Sequence, residues 1–157
     1  MARGADLGPL LRAGLTVLGL TGRTVTCRCT DDGELRRLNR TFAGEDRATD
    51  VLAFPAAASS DPRFRAAPGA RGLLGDIAIS VERAALQAQA AGVAPADELR
   101  LLAAHGLCHL AGHGHDAAAA AGRMTEATRE ILAADAAARG VPAPVVPALV
   151  APGDGPA

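Results

Sequence analysis

All four histidines of this 157-residue chain fall in one stretch of eleven residues, HGLCHLAGHGH. His105 and His109 are four residues apart, so on a helix their rings lie roughly 40° apart and point to the same side. Gly112 and Gly114 allow a sharp turn after the helix, and His115 can then return as a third ligand. Catalytic zinc favours three histidines and one open position. The pattern H-x3-H-x5-H therefore predicts one zinc per chain at a helix end.

Four neighbouring residues are considered beside this predicted triad. His113 is expected not to bind the metal, because it lies on the opposite side of an extended turn from His115. Cys108 borders the ligand face, but a small apolar packing role is favoured. Asp116 either orients His115 or a bound water, or caps the last helix. Gly106 stands where a zinc peptidase of the H-E-x-x-H kind has its catalytic Glu, which counts against peptide hydrolysis.

Apolar periodicity and capping residues predict the elements that position the histidines. Leu35, Leu38 and Phe42 are expected to point inward from a helix that Asp32 caps. Val25, Cys27 and Cys29 are expected on one face of a strand, packing in the core. Helices are predicted over residues 7–20, 32–42, 81–91, 95 into the histidine stretch, and 117–139, and strands over 24–30, 51–55 and 73–80. Residues 56–72 read as a mobile loop.

Composition restricts the class of protein. The length suits one domain, and with three Phe, no Trp and no Tyr the core must be aliphatic, so aromatic stacking platforms are not expected. Three cysteines, an odd number, favour a reducing compartment over a disulfide framework. The apolar stretch at residues 7–20 is too short and too broken to cross a bilayer. We therefore expect a cytoplasmic protein.

Charge is distributed unevenly along the chain, although the formal net charge is only -1. The segment from Arg36 to Arg71 holds seven arginines against four acidic residues, a balance of +3, whereas the remainder carries -4. All 16 basic residues are Arg. This bias reflects either genomic base composition or a need for planar, bidentate phosphate contacts.

Three sequence blocks resemble the YbeY-type endoribonucleases, the bacterial rRNA maturation factors. HGLCHLAGHGH is similar to the family's H-G-x-L-H-L-x-G-Y-D-H, LNRTFAGEDRATDVLAFP to its L-N-x-x-[FY]-R-G-K-D-x-x-T-[DN]-V-L-S-F-P, and LLGDIAIS to its L-L-G-D-I-x-I-S. With MTEATREIL in the last helix, the resemblance covers roughly residues 24–139. It implies a single α+β domain over residues 1–139, with a small mixed β-sheet flanked by helices. The Pro- and Ala-rich tail over 140–157 shows no apolar periodicity and is expected to be disordered.

The resemblance also assigns residues to a site. His105, His109 and His115 match the zinc ligands of the family. Four other residues match positions near its active cleft: Thr49, Asp50, Gly75 and Asp76. Asp76 is taken as a catalytic residue, with a strand-edge acid as the alternative, and Asp50 has a turn or cap as its alternative.

Two departures from the family motif alter the expected site. The motif's Tyr-Asp pair is His113 and Gly114 here, which leaves the three ligands intact but changes their surroundings. The motif's Arg, thought to be catalytic in the family, is Ala43. Arg47 or Arg40 is therefore expected to hold the scissile phosphate and to stabilise the charge that develops as the bond breaks.

The predicted function is zinc-dependent, single-strand-specific RNA cleavage in rRNA processing and ribosome maturation, with water activated by the metal as the nucleophile. Residues 36–71 are the predicted RNA track. Partners would be single-stranded RNA, chiefly rRNA, and the small ribosomal subunit or its assembly factors, with no DNA and no membrane. Two alternatives stay open: an assembly factor whose zinc is structural, with little or no nuclease activity, and a zinc hydrolase of another substrate.

Overall fold

The computed structural model describes residues 5–56, 72–112 and 119–146 of the chain. Its strands are β1 (Thr24–Thr30), β2 (Val51–Pro55) and β3 (Leu73–Ser80), and its helices are α1 (Gly8–Val17), α2 (Asp32–Ala43), α3 (Val81–Ala91), α4 (Pro95–Leu110) and α5 (Ala119–Arg139). Each predicted element is present in this part of the chain. Most of the predicted loop, residues 57–71, lies outside the described residues.

The three strands form one mixed sheet in the order β1-β3-β2. β1 runs parallel to the central strand β3, and β2 runs antiparallel to it. Successive side chains of β3 alternate between two apolar clusters: Ile77 and Ile79 belong to the larger cluster, whereas Ala78 belongs to the smaller one. The α+β fold with a small mixed sheet is thus confirmed, and the sheet separates two packed layers.

The larger cluster is the main core, where α1, α4 and α5 pack together and α4 lies on the sheet. Its most buried large side chains are aliphatic, as the composition predicted: Leu10, Ile77, Ile79, Leu107 and Ile131. Val146, in the tail that follows residue 139, is also buried in this core. The rest of the tail lies outside the described residues.

Helix α2 covers the other face of the sheet. Leu35 and Leu38 are buried against Ala78, as predicted. Phe42, which was expected to point inward, is 62% exposed. The expectation was wrong because the buried apolar side chains of α2 end with Leu38, and Phe42 follows one turn later, just before Gly44 ends the helix in a left-handed conformation.

The N-cap of helix α2 lies one residue earlier than predicted. Asp31 is the N-cap, and its carboxylate accepts a hydrogen bond from the Glu34 amide. Asp32 instead binds across to the start of α3, accepting from the Ser80 hydroxyl and from Arg83. Adjacent aspartates are both suitable caps, and the long-range partners at Ser80 and Arg83 decide between them.

Strand β1 lies at an edge of the sheet, and this position separates its two cysteines. Cys27 packs against the main core, and burial, followed by the charge of Cys29, raises the pKa of its thiol to about 12. Cys29 is exposed, so its predicted core role was wrong. Alternation places both on one face, but helices cover only part of that face.

Glycine lets α4 approach the sheet closely. A Cβ atom at Gly106 would lie 2.9 Å from Ile77 Cγ2 and 3.3 Å from Val51 Cγ2. A Cβ atom at Gly75 would lie 2.3 Å from the Phe54 carbonyl oxygen and 2.7 Å from Leu110 Cδ2. Strands β2 and β3 and the last two turns of α4 therefore pack without room for even a methyl group at these positions.

Within the described residues, no helix is both long enough and apolar enough to cross a membrane.

We predict that Gly106→Ala lowers the free energy of unfolding by about 1–3 kcal/mol, because the added methyl overpacks the contact with Ile77. Gly122→Ala is the matched control, since Gly122 also lies inside a helix and a Cβ atom there would meet nothing within 4 Å. The control should stabilise the protein by about 0.5–1 kcal/mol through helix propensity. Urea unfolding measures both, and equal stabilisation by the two variants would contradict the close-packing argument.

Candidate metal centre

Helix α4 carries the first two predicted ligands. Pro95 occupies its first turn together with Asp97 and Glu98, which suits the positive end of the helix dipole. The sheet-facing side of α4 is buried, and the helix ends at Leu110 with His109 in its last turn. This register places His105 and His109 near the C-terminal end of the helix.

The two imidazole rings converge as their spacing predicts. The Nε2 atoms of His105 and His109 are 3.0 Å apart. The ring centroids are 4.6 Å apart, and the ring planes meet at 78°. At this distance one neutral imidazole donates its N–H to the other, or both nitrogens present lone pairs to a common ion.

The spacing of the two nitrogens fits one zinc ion. Zinc lies about 2.0–2.1 Å from a histidine nitrogen in tetrahedral sites, which puts two such nitrogens roughly 3.3 Å apart. The separation of 3.0 Å between the Nε2 atoms of His105 and His109 requires only a small adjustment of the rings. The donor set therefore suits the predicted metal.

The surroundings of His105 favour its neutral form. Its pKa is lowered to about 4, chiefly by burial and then by the charge of His109, while Asp50 acts in the opposite direction. A histidine binds metal in its neutral form, so this environment keeps His105 ready as a ligand near neutral pH. Its Nδ1 atom is buried and has no hydrogen-bond partner among the described residues.

Asp50 links the histidine to two other elements. Its carboxylate accepts hydrogen bonds from the Val51 amide and from Gln87 of α3. Its backbone carbonyl accepts from the Ser80 amide. Asp50 thus connects β2, β3 and α3 through hydrogen bonds, and its charge acts on His105. It therefore combines the turn role and the site role considered for it.

Glu98 is a feature of the site that sequence reasoning missed. It lies seven residues before His105 on α4 and is only 8% exposed. Burial and then the negative charge of Asp50 raise the pKa of its carboxyl. Its place in the first turn indicated an ordinary helix-dipole role, whereas the seven-residue spacing to His105 was the signal that could have placed it on the histidine side of the helix.

The third predicted ligand, His115, lies outside the described residues, as do His113 and Asp116. Among the residues that the structure does describe, no group of three or more His, Cys, Asp or Glu side chains is arranged to hold a metal ion. The described part of the site is thus the pair formed by His105 and His109.

The other residues of the histidine stretch pack into the fold. Cys108 is fully buried, its sulfur lies 3.7 Å from the Thr128 hydroxyl of α5, and burial raises its pKa. This agrees with the predicted packing role. Gly106 faces the sheet, where a Glu side chain would meet Ile77 instead of solvent or a metal. Position 106 therefore cannot supply the base of an H-E-x-x-H site.

The two candidate phosphate-binding arginines lie in and after the last turn of α2. Arg47 donates to Glu45 at 2.6 Å, and its side chain is 74% exposed. Asn39 donates to the Arg47 carbonyl, which ties the loop to α2. Arg36 hydrogen bonds to Asp46 and, with the nearby charge of Arg40, lowers the pKa of that carboxyl. The interactions described here thus join these arginines to α2 and to the loop that follows it.

Asp76 is placed away from the histidines. Helix α4 packs on the side of β3 that carries Ile77, whereas Asp76 faces the α2 side with Ala78. The carboxylate accepts a hydrogen bond from the Thr26 hydroxyl of β1. Alternation along the strand therefore puts the sheet between Asp76 and the histidine pair.

The remaining residues of the expected cleft have structural positions. Thr49 is partly buried in the loop before β2. Gly75 pairs with Pro55 and Val25 in the sheet and provides the space for Leu110 that was described above. Gly75 acts on the site only by letting the end of α4 approach the sheet.

Comparison with known proteins agrees with this arrangement. Over residues 11–135 the chain matches the family described as Endoribonuclease YbeY. Proteins of that name in Chloroflexus aurantiacus and Moorella thermoacetica are similar to it. The first is 47% identical over 112 residues, covering 71% of this chain and 72% of the relative. The second is 42% identical over 131 residues, covering 82% and 84%.

A solved structure shows the same fold. A Thermotoga maritima protein, known from a solution structure, superposes with a TM-score of 0.57 at 22% identity, covering 85% of this chain and 83% of that one. The sequence matches show that the chain belongs to the YbeY endoribonuclease family.

We predict that Glu98→Gln raises the free energy of unfolding near pH 7. The pKa of Glu98 is raised in the folded state, so ionisation of Glu98 destabilises the fold at pH values above the pKa that this residue has in the unfolded chain. Below that pKa the residue is protonated in both states, and the destabilisation disappears. The gain should therefore vanish at about pH 4. Glu126→Gln is the control, because Glu126 is exposed and pairs with Arg129. Urea unfolding at both pH values tests this, and a gain that persists at the lower pH would contradict it.

Proposed function

We propose that this chain is a zinc-dependent, single-strand-specific endoribonuclease that acts in rRNA processing and ribosome maturation. The observation that carries the proposal is the convergence of His105 and His109, whose Nε2 atoms lie 3.0 Å apart. Membership of the YbeY endoribonuclease family supports RNA as the substrate. Single-stranded RNA, chiefly rRNA, and the small ribosomal subunit or its assembly factors are the proposed partners.

His105, His109 and His115 would hold the zinc. Bound there, zinc would lower the pKa of a water molecule and polarise the scissile phosphate. The protein contributes the positions of the ligands: α4 presents two of them from a rigid helix, and its packing on the sheet through Gly106 sets where they lie. Burial of His105 keeps its ring neutral and available for binding.

Arg47 is the proposed phosphate clamp, with Arg40 as the second choice. Arg47 lies in the loop that leads from α2 to Asp50, and the charge of Asp50 acts on His105. Its partner Glu45 is 51% exposed, and exposed ion pairs contribute at most about 1 kcal/mol. The phosphodiester anion, or the further charge that develops as its bond breaks, could therefore draw the guanidinium away from Glu45 at little cost.

One observation favours a second candidate function. The arginine of the family motif is replaced by Ala43, and Arg47 is already paired with Glu45. An assembly factor with a structural zinc and little or no nuclease activity would need no phosphate clamp. Cobalt substitution separates the two functions, since added small anions change the visible spectrum of an open site but not that of a site closed by a fourth protein ligand.

The first functional prediction concerns the ligands. The purified protein should bind one zinc per chain, and His105→Ala, His109→Ala and His115→Ala should each remove it. His113→Ala is the matched control within the same stretch and should keep the metal. Metal analysis of the four variants gives the answer, and loss of zinc from the His113 variant as complete as from the His109 variant would overturn the ligand assignment.

The second functional prediction concerns the clamp. Removal of one hydrogen-bond donor that stabilises a developing charge typically lowers the rate roughly a hundredfold to a thousandfold. Ala43→Arg should therefore raise cleavage at least tenfold, about 1.4 kcal/mol in the barrier. Arg47→Ala should abolish residual cleavage while zinc is retained.

Single-turnover cleavage of an unstructured RNA measures these rates, with zinc content checked for every variant. Arg129→Ala is the control, because Arg129 is likewise an exposed arginine paired with a nearby Glu, but on α5. Its rate should equal that of the unmodified protein. If Ala43→Arg and Arg47→Ala both leave the rate unchanged, the clamp is wrong and the assembly-factor function becomes the better one.

A further inference from the structure

A groove lies on the face of the sheet opposite the histidine pair. It has a volume of about 660 Å³ and runs between α2 and the strands, within the size range of small-molecule sites. Leu38, Leu52 and Ala78 contribute apolar lining, and Thr26, Arg28 and Asp76 contribute polar groups. None of the functions argued above uses this groove.

Phe42 forms part of the groove and is unusually exposed for its size. The ring is 62% exposed, although the chain has only three phenylalanines. Phe54, a second member of the three, lies in the same groove with its ring centroid 5.2 Å from that of Phe42 and its plane tilted by 56°. This tilted packing orients the Phe42 ring while most of its surface stays accessible.

The charged groups of the groove already have partners. Arg28 pairs with Glu34 at 3.2 Å, and Asp76 accepts a hydrogen bond from Thr26. The lining thus carries one positive and one negative side chain, which leaves the groove no net charge to select a phosphate. An exposed aromatic ring beside paired polar groups suits a neutral, flat molecule with hydrogen-bonding edges, which describes a nucleobase.

The helix that carries Phe42 also carries arginines for a nucleic-acid backbone. The side chains of Arg36 and Arg37 are each more than half exposed. β2 is an edge strand of the sheet, and the loop that follows α2 leads to Asp50 beside His105. A single strand bound at the histidine pair can therefore pass around this edge towards α2.

We propose that the groove binds an unpaired base of single-stranded RNA, stacked on Phe42, on the face of the sheet opposite the metal centre. The proposal rests on the proposed function for its RNA substrate. The groove would act as a second point of attachment, and would favour unpaired RNA over duplex because a paired base cannot reach the ring.

Binding of labelled oligouridylate and oligoadenylate of about 12 nucleotides provides the test. Phe42→Ala should weaken binding about tenfold or more, because each stacked base contributes appreciably to affinity. Phe42→Tyr should restore affinity to within about twofold, since the ring is retained. Leu86→Ala is the matched control, because Leu86 is a large apolar residue of similar exposure, 66%, on α3. It should not change binding.

An RNA with one abasic nucleotide locates the contact. At one position along the strand, removing the base should cost the same factor as Phe42→Ala, and the two changes together should cost no more than either alone. Thermal melts check that each variant is folded, and Phe42→Tyr keeps the comparison valid if the alanine variant loses stability.

Two outcomes would overturn the proposal in distinguishable ways. If the unmodified protein cleaves RNA and Phe42→Ala binds it unchanged, the groove is not a base site and the proposed function stands. If the unmodified protein neither binds nor cleaves these oligonucleotides, the RNA substrate itself is wrong and both proposals fail.

Discussion

The close contact between α4 and the sheet is the constraint on which the rest of the structure depends. Gly106 brings the helix against Ile77 and Val51, and Gly75 gives Leu110 room at the end of the helix. This contact fixes the distance of α4 from the sheet and the rotation of the helix about its own axis. It therefore also fixes the positions of the His105 and His109 side chains. Two rings can share one ion, as proposed, only if their positions vary little, and a buried glycine contact defines that position more rigidly than side chains that can change rotamer.

The titratable residues near the histidine pair and the groove beside α2 lie on opposite faces of one sheet. On the α4 side, burial is the main cause that lowers the pKa of His105 and raises the pKa of Glu98. On the α2 side, Asp76 and the exposed Phe42 share a groove with no described contact to the histidines. A three-stranded sheet is narrow, so both faces lie close to the β2 edge, where one flexible strand of RNA could contact each of them.

Ion pairing moderates the basic character of the middle of the chain. Arg36 pairs with Asp46, Arg37 with Glu34 and Arg47 with Glu45, and the side chain of each of these arginines is more than half exposed. Exposed pairs are weak and are screened by salt, so they orient the guanidinium groups without holding them firmly. Phosphates or other anions can therefore exchange with these carboxylates.

The sequence by itself determined the elements and the histidine pair. Both follow from spacing along the chain: alternation predicted the strands, and the separation of four residues brought His105 and His109 together. Tertiary structure alone decided which face each residue occupies, because that depends on what packs opposite. The tertiary structure left Phe42 exposed, placed Asp76 on the face of the sheet opposite the histidine pair, and buried Glu98 where the charge of Asp50 acts on it. Periodicity describes one element at a time, whereas burial and electrostatic environment depend on neighbours that are distant in the chain.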